Sequence, residues 1–109
     1  MAHSIIEAKN NLSILLKETQ LPTLLDFWAP WCGPCKQLNP VIDDIAKHFA
    51  NKLQVIKVNV DDNEDEISTY SIKKIPTLIF LNKEGQEVKL LRGFHAFEKL
   101  VSIIEELSL

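Results

Sequence analysis

Between residues 21 and 49 the hydrophobic pattern changes period abruptly, and the change falls on the two cysteines of the chain. Leu21 to Trp28 is an apolar run broken by one acid, Asp26, which is the pattern of a buried strand. Leu38, Val41, Ile42, Ile45, Ala46 and Phe49 then recur at the spacing of one helical face. A long amphipathic helix is therefore expected to start at Trp31-Cys32-Gly33-Pro34-Cys35, with Pro40 kinking it. A strand feeding directly into a helix restricts the chain to α/β architectures, and such junctions are where these folds place their ligands.

The rest of the chain extends this reading without a linker, repeat or low-complexity tract. Ser4 to Glu7 reads as a short strand in preference to a capping box, because helical spacing becomes clear only with Leu12, Leu15 and Leu16. Leu53 to Val60 is rich in β-branched residues and reads as a buried strand; a short helix with an acidic first turn is expected from about Glu64 to Tyr70. Thr77–Leu81 and Glu87–Arg92 flank Asn-Lys-Glu-Gly, a hairpin signal, and Phe97, Leu100, Val101, Ile104 and Leu107 form the apolar face of a terminal helix. The order β-α-β-α-β-α-β-β-α predicts a mixed five-stranded sheet with four helices on its two faces. At 109 residues, 46% hydrophobic and 25% charged, the chain has the size and composition of one compact domain, expected over residues 1–109.

Several function classes are disfavoured. A net charge of -3 gives no electrostatic case for nucleic acid. The longest apolar runs are too short to span a bilayer, and the start Met-Ala-His-Ser-Ile-Ile lacks a basic segment followed by an apolar one, so a cytoplasmic location is expected unless a signal has already been removed. Zinc takes about four ligands. No second cysteine pair exists, and His3, His48 and His95 are scattered without ligand spacing, so no metal site is expected.

In a reducing compartment a Cys-x-x-Cys pair is more often catalytic or metal-binding than a permanent crosslink. At a helix start the two side chains share one face within disulfide reach. Unpaired N–H groups and the positive end of the helix dipole lower the pKa of the nearer cysteine, Cys32, whose thiolate is expected to attack a target disulfide. Cys35, one turn deeper, would attack the mixed disulfide and release the target. Pro34 fixes the backbone between them and Gly33 leaves room for an approaching chain. Asp26, between Leu25 and Phe27, is hard to place in solvent, and burial would raise its pKa towards the range useful for acid–base work; an exposed strand end is the competing reading. Trp28 is expected to support the active-site loop, and Lys36 to add positive charge near Cys32.

Asp26-Phe27-Trp28-Ala29-Pro30-Trp31-Cys32-Gly33-Pro34-Cys35-Lys36 resembles the active-site signature of the thioredoxin family. The likeness extends to Pro40, Lys57, Ile75-Pro76-Thr77 and Gly93, and covers nearly the whole chain. It implies the thioredoxin fold and a protein-disulfide reductase without a bound cofactor, recharged from NADPH by thioredoxin reductase. It also implies that Asp26 accepts the Cys35 proton through water and that Lys57 tunes that proton; a lysine snorkelling from the strand is the alternative for Lys57. Pro76 is implied to be cis, against the prior for X-Pro bonds, with the backbone of Ile75 pairing with the target as an added strand. Trp31, Gly33, Pro34, Val60, Ile75, Pro76, Gly93 and Phe94 would form the apolar docking surface, unless Val60 and Phe94 are simply core. Lys74 and Phe94 stand where the family commonly carries smaller residues, beside that surface. The expected partners are thioredoxin reductase and disulfide-bearing proteins, and the expected state is a monomer. An oxidase or isomerase of the same fold and a thiol-independent structural subunit are the competing functions.

Overall fold

Apolar side chains on both sides of one strand put that strand at the centre of the sheet. Strand β2 (Thr23–Trp28) holds this position in the computed structural model, which describes residues 5–109. The expected strand start at Ser4, and His3, lie outside the described residues. The elements follow the order β1 (Ile5–Glu7), α1 (Leu12–Glu18), β2, α2 (Gly33–His48), β3 (Gln54–Asn59), α3 (Glu64–Thr69), β4 (Thr77–Leu81), β5 (Glu87–Arg92) and α4 (Phe97–Leu107). The sheet order is β1-β3-β2-β4-β5: β1 and β2 run parallel to β3, while β4 is antiparallel to both β2 and β5. This is the thioredoxin fold that the sequence implied.

Alternation along the strands divides the core into two layers. Leu24, Val55, Leu78 and Phe80 pack with Leu38, Ile42 and Ile45 of α2 and Leu100, Ile103 and Ile104 of α4. Leu25, Phe27, Ile56, Val58, Ile79 and Leu81 face the other way, against Leu12, Leu15 and Leu16 of α1. Helices thus cover both faces. The sheet's edge strands are β1, with three residues among those described, and β5, joined to β4 through a register irregularity between Phe80 and Leu81.

The boundaries differ from expectation for local reasons. The strand expected from Leu21 begins at Thr23, because Pro22 has no N–H for the ladder; its carbonyl accepts from the Gln54 N–H at 2.8 Å. The strand expected over Leu53 to Val60 is confined to Gln54–Asn59. Leu53 donates its N–H to the Phe49 carbonyl at the end of α2, and Val60 opens a 3-10 turn (Val60–Asp62) capped by the Asn59 side chain. Tyr70 is the C-cap of α3 and not its last turn. α2 continues as helix through Pro40, which has no N–H to donate to the Lys36 carbonyl.

Candidate active site

The junction at the end of β2 is built from short-range contacts. Ala29 to Cys32 turn the chain, with the Cys32 N–H bonded to the Ala29 carbonyl, and α2 begins with Cys32 as its N-cap. The Cys32 Sγ accepts from the Cys35 N–H at 3.2 Å, so a sulfur takes the place of the usual capping oxygen at the positive end of a 16-residue helix. Pro34 sits in the first turn, where its missing N–H has no partner to lose. Cys32 and Cys35 are joined in a disulfide with Cα atoms 5.3 Å apart. Cys32 is the more accessible, at 7% against 1% for Cys35.

Around the disulfide the structure gathers part of the sequence-derived set. Trp28, Val60 and Ile75 pack against Ala29 and the two cysteines. The Cys32 Sγ lies 3.9 Å from the Ile75 carbonyl oxygen, and the Ile75–Pro76 bond is cis. Trp31, Val60 and Ile75 line a shallow groove together with Ile67 and Ile72, rimmed by Lys73 and Lys74. Gly93, at φ +83°, donates its N–H to the buried Pro76 carbonyl at 2.9 Å. A Cβ at Gly33 would meet nothing, so space beside the disulfide is open there. Phe94 and Trp31 are exposed, at 48% and 67%, and Val60 is half-buried, so Phe94 is not core; the groove reaches neither Gly93 nor Phe94. Lys36 is exposed in the first turn of α2.

Asp26 is buried, and neither carboxylate oxygen has a hydrogen-bond partner among the described residues; the same holds for the Trp28 indole N–H. Burial pushes the Asp26 carboxyl from 3.8 up to about 7, with the Lys57 charge pulling the other way. Lys57 is the registered neighbour of Asp26 on β3, but its ammonium donates to Asn39 Oδ1 at 2.8 Å and lies 4.3 Å from the centre of the Trp28 ring. The lysine is thus held between Asn39 and Trp28.

Sequence reasoning missed two of these side chains. Asn39 stands four residues after Cys35, and that helical spacing alone could have placed it on the same face. Asp61 accepts from the Trp31 indole N–H at 2.9 Å and steadies the exposed ring; its long-range partner had no sequence signal. No group of three or more His, Cys, Asp or Glu among the described residues is placed to hold a metal ion. No helix among them is long and apolar enough to cross a membrane.

The family model described as Thioredoxin matches residues 3–106. A protein named Thioredoxin from Rickettsia conorii is 43% identical over 83% of this chain and 85% of its own length. Proteins of the same name from Synechocystis and from Haemophilus influenzae are also 43% identical, over 82% of both chains and 81% of both chains respectively.

Proposed function

The chain belongs to the thioredoxin family, and from that premise and its site geometry we propose how it works as a protein-disulfide reductase. It is a thiol–disulfide oxidoreductase. The observation that carries the residue roles is the unequal placing of the two sulfurs: Cys32 at the helix terminus and more open, Cys35 within the first turn and closed.

In the reduced protein the Cys32 thiolate, favoured by the Cys35 N–H and the helix dipole, attacks one sulfur of a target disulfide, and the second target sulfur leaves as a thiolate. Cys35 then loses its proton to the Asp26 carboxylate. Its sulfur attacks Cys32 Sγ, the mixed disulfide breaks, and the first target sulfur leaves. Two electrons have passed to the target, and the Cys32–Cys35 disulfide remains. A carboxyl with a pKa of about 7 suits this exchange, since it divides its population between acid and base near neutral pH. Lys57 tunes the charge of that carboxyl.

The target lies as an extended segment along Ile75 beside Cys32, in the groove lined by Trp31 and Val60, with Gly33, Pro34, Pro76, Gly93 and Phe94 outside that groove completing the proposed surface. Lys73 and Lys74 give the rim a positive charge. The disulfide is recharged by thioredoxin reductase with electrons from NADPH, no cofactor being bound by the chain itself. We place this work in the cytoplasm, with the chain acting as a monomeric single domain.

Coupled turnover tests the reading. With NADPH, thioredoxin reductase and a disulfide-bearing protein, the chain should support continuous NADPH oxidation, and a Cys32→Ser/Cys35→Ser form should support none. A chain that folds but carries no electrons between the two would contradict it.

A further inference from the structure

Asp26 and Lys57 face each other in register on adjacent strands, an arrangement from which a carboxylate and a flexible ammonium would ordinarily close an ion pair. They do not. The Lys57 ammonium is instead engaged by two neutral groups, Asn39 Oδ1 at 2.8 Å and the face of Trp28 at 4.3 Å, and both Asp26 oxygens are left without a hydrogen-bond partner among the described residues. We propose that Asn39 is a positioning residue that anchors the Lys57 ammonium short of Asp26, so that the lysine stays near the carboxyl without neutralising its proton chemistry.

Lys57 is the charged residue in register with Asp26, and on its other side it is in register with the exposed Glu7 of β1. On β4 the residue in register with Asp26 is Leu78. α2 and α4 cover that face of the sheet with Leu38, Ile42, Leu100, Ile103 and Ile104, none of them titratable. Cys35 on α2 does not titrate while the disulfide is intact. On β2 itself the nearest residues of the same face are Leu24 and Trp28, both uncharged. An ammonium freed from Asn39 has a four-carbon stem with which to reach the carboxylate, and an opposite charge at 4 to 6 Å lowers an acid's pKa by about one to three units. Asn39 is half-buried within α2, where alanine is a better helix former, so the simplest truncation leaves the fold in place.

The inference rests on the proposed role of Asp26, but its test can be separated from that role by titrating Asp26 in the oxidised protein, where no thiol exchange occurs. The carboxyl carbon of Asp26 is followed by NMR against pH in the wild type, Asn39→Ala, Lys57→Met and the double variant. Asn39→Ala should lower the midpoint by about one unit or more when Lys57 is present, and leave it unchanged in the Lys57→Met background. Asn39→Asp keeps the acceptor and adds a negative charge, and should move the midpoint upward. An unchanged midpoint in Asn39→Ala, the same shift with and without Lys57, or a downward shift in Asn39→Asp would overturn the proposal. Single-turnover resolution of a mixed disulfide is then measured across pH in the same variants. If the Asp26 midpoint moves as stated but the rate profile does not follow, the anchoring of Lys57 stands and the proton role of Asp26 falls.

Discussion

Leu24 and Asp26 are two residues apart on the same face of β2 and equally buried, at 0% and 1%, yet the environment answers them in opposite ways. Leu24 is one member of a layer that includes Leu38, Ile42, Leu78 and Phe80. Asp26 has no hydrogen-bond partner among the described residues and carries a carboxyl raised to about 7 by loss of water. The half of β2 that serves stability and the half that serves the site are therefore distinguished by chemistry alone, since burial and strand geometry are shared. A polar group kept in such a place lowers stability, and the proton exchange with Cys35 that we propose would be the reason it is kept.

The comparison breaks most completely at the cysteines themselves, where the effect on turnover is nearly total. Cys35→Ser should accumulate a mixed disulfide through Cys32, whereas Cys32→Ser should trap little, and mass spectrometry of captured targets decides between them. The next effect separates the two halves of β2 by pH. The folded-state pKa of Asp26 lies above its unfolded value of 3.8, so below about pH 4 both states hold the proton and there is no penalty. As pH rises from about 4 to 7 the unfolded state ionises first and stability falls; above about 7 the loss levels off. At about 1.4 kcal/mol for each unit between the two values, the fall amounts to about 4 kcal/mol, readable by denaturant titration of the oxidised protein. Leu24→Ala gives a slightly smaller loss of about 3 kcal/mol from the cavity it leaves, and it should be the same at every pH.

The layered core, the hairpin and the helix starting at the cysteines were legible because each rests on periodicity or turn chemistry carried by neighbouring residues. Leu38, Ile42 and Ile45 declare their helical face without any knowledge of what covers it. Strand ends were less legible, as at Val60, whose β-branched side chain suits a strand while the Asn59 side chain caps a 3-10 turn there. Asn63 shows the limit more sharply. It is fully buried, donates to the Ala8 and Asn59 carbonyls at 3.2 and 2.9 Å, accepts from the Asn10 N–H at 2.9 Å, and so ties the end of β1 to the turn after β3. In the sequence it reads as an ordinary loop asparagine, because two of its three partners lie 55 and 53 residues away. The same applies to the site: Cys32, Cys35 and Asp26 stand out by type and context, whereas the Lys57 contact with Asn39 is a product of packing β3 against α2.

Asp26→Asn measures at once the two halves of the role proposed for Asp26, proton transfer and its cost in stability. Neutral asparagine escapes the ionisation penalty but cannot take the proton from Cys35. Denaturant titration at pH 7 should show the variant more stable than the wild type, with the fall between about pH 4 and 7 largely flattened. Single-turnover resolution of a mixed disulfide by the same variant should be slower by about 10²-fold or more, the usual scale of a lost acid–base group. An Asn variant that is no more stable at pH 7 and resolves the mixed disulfide at the wild-type rate would contradict the account.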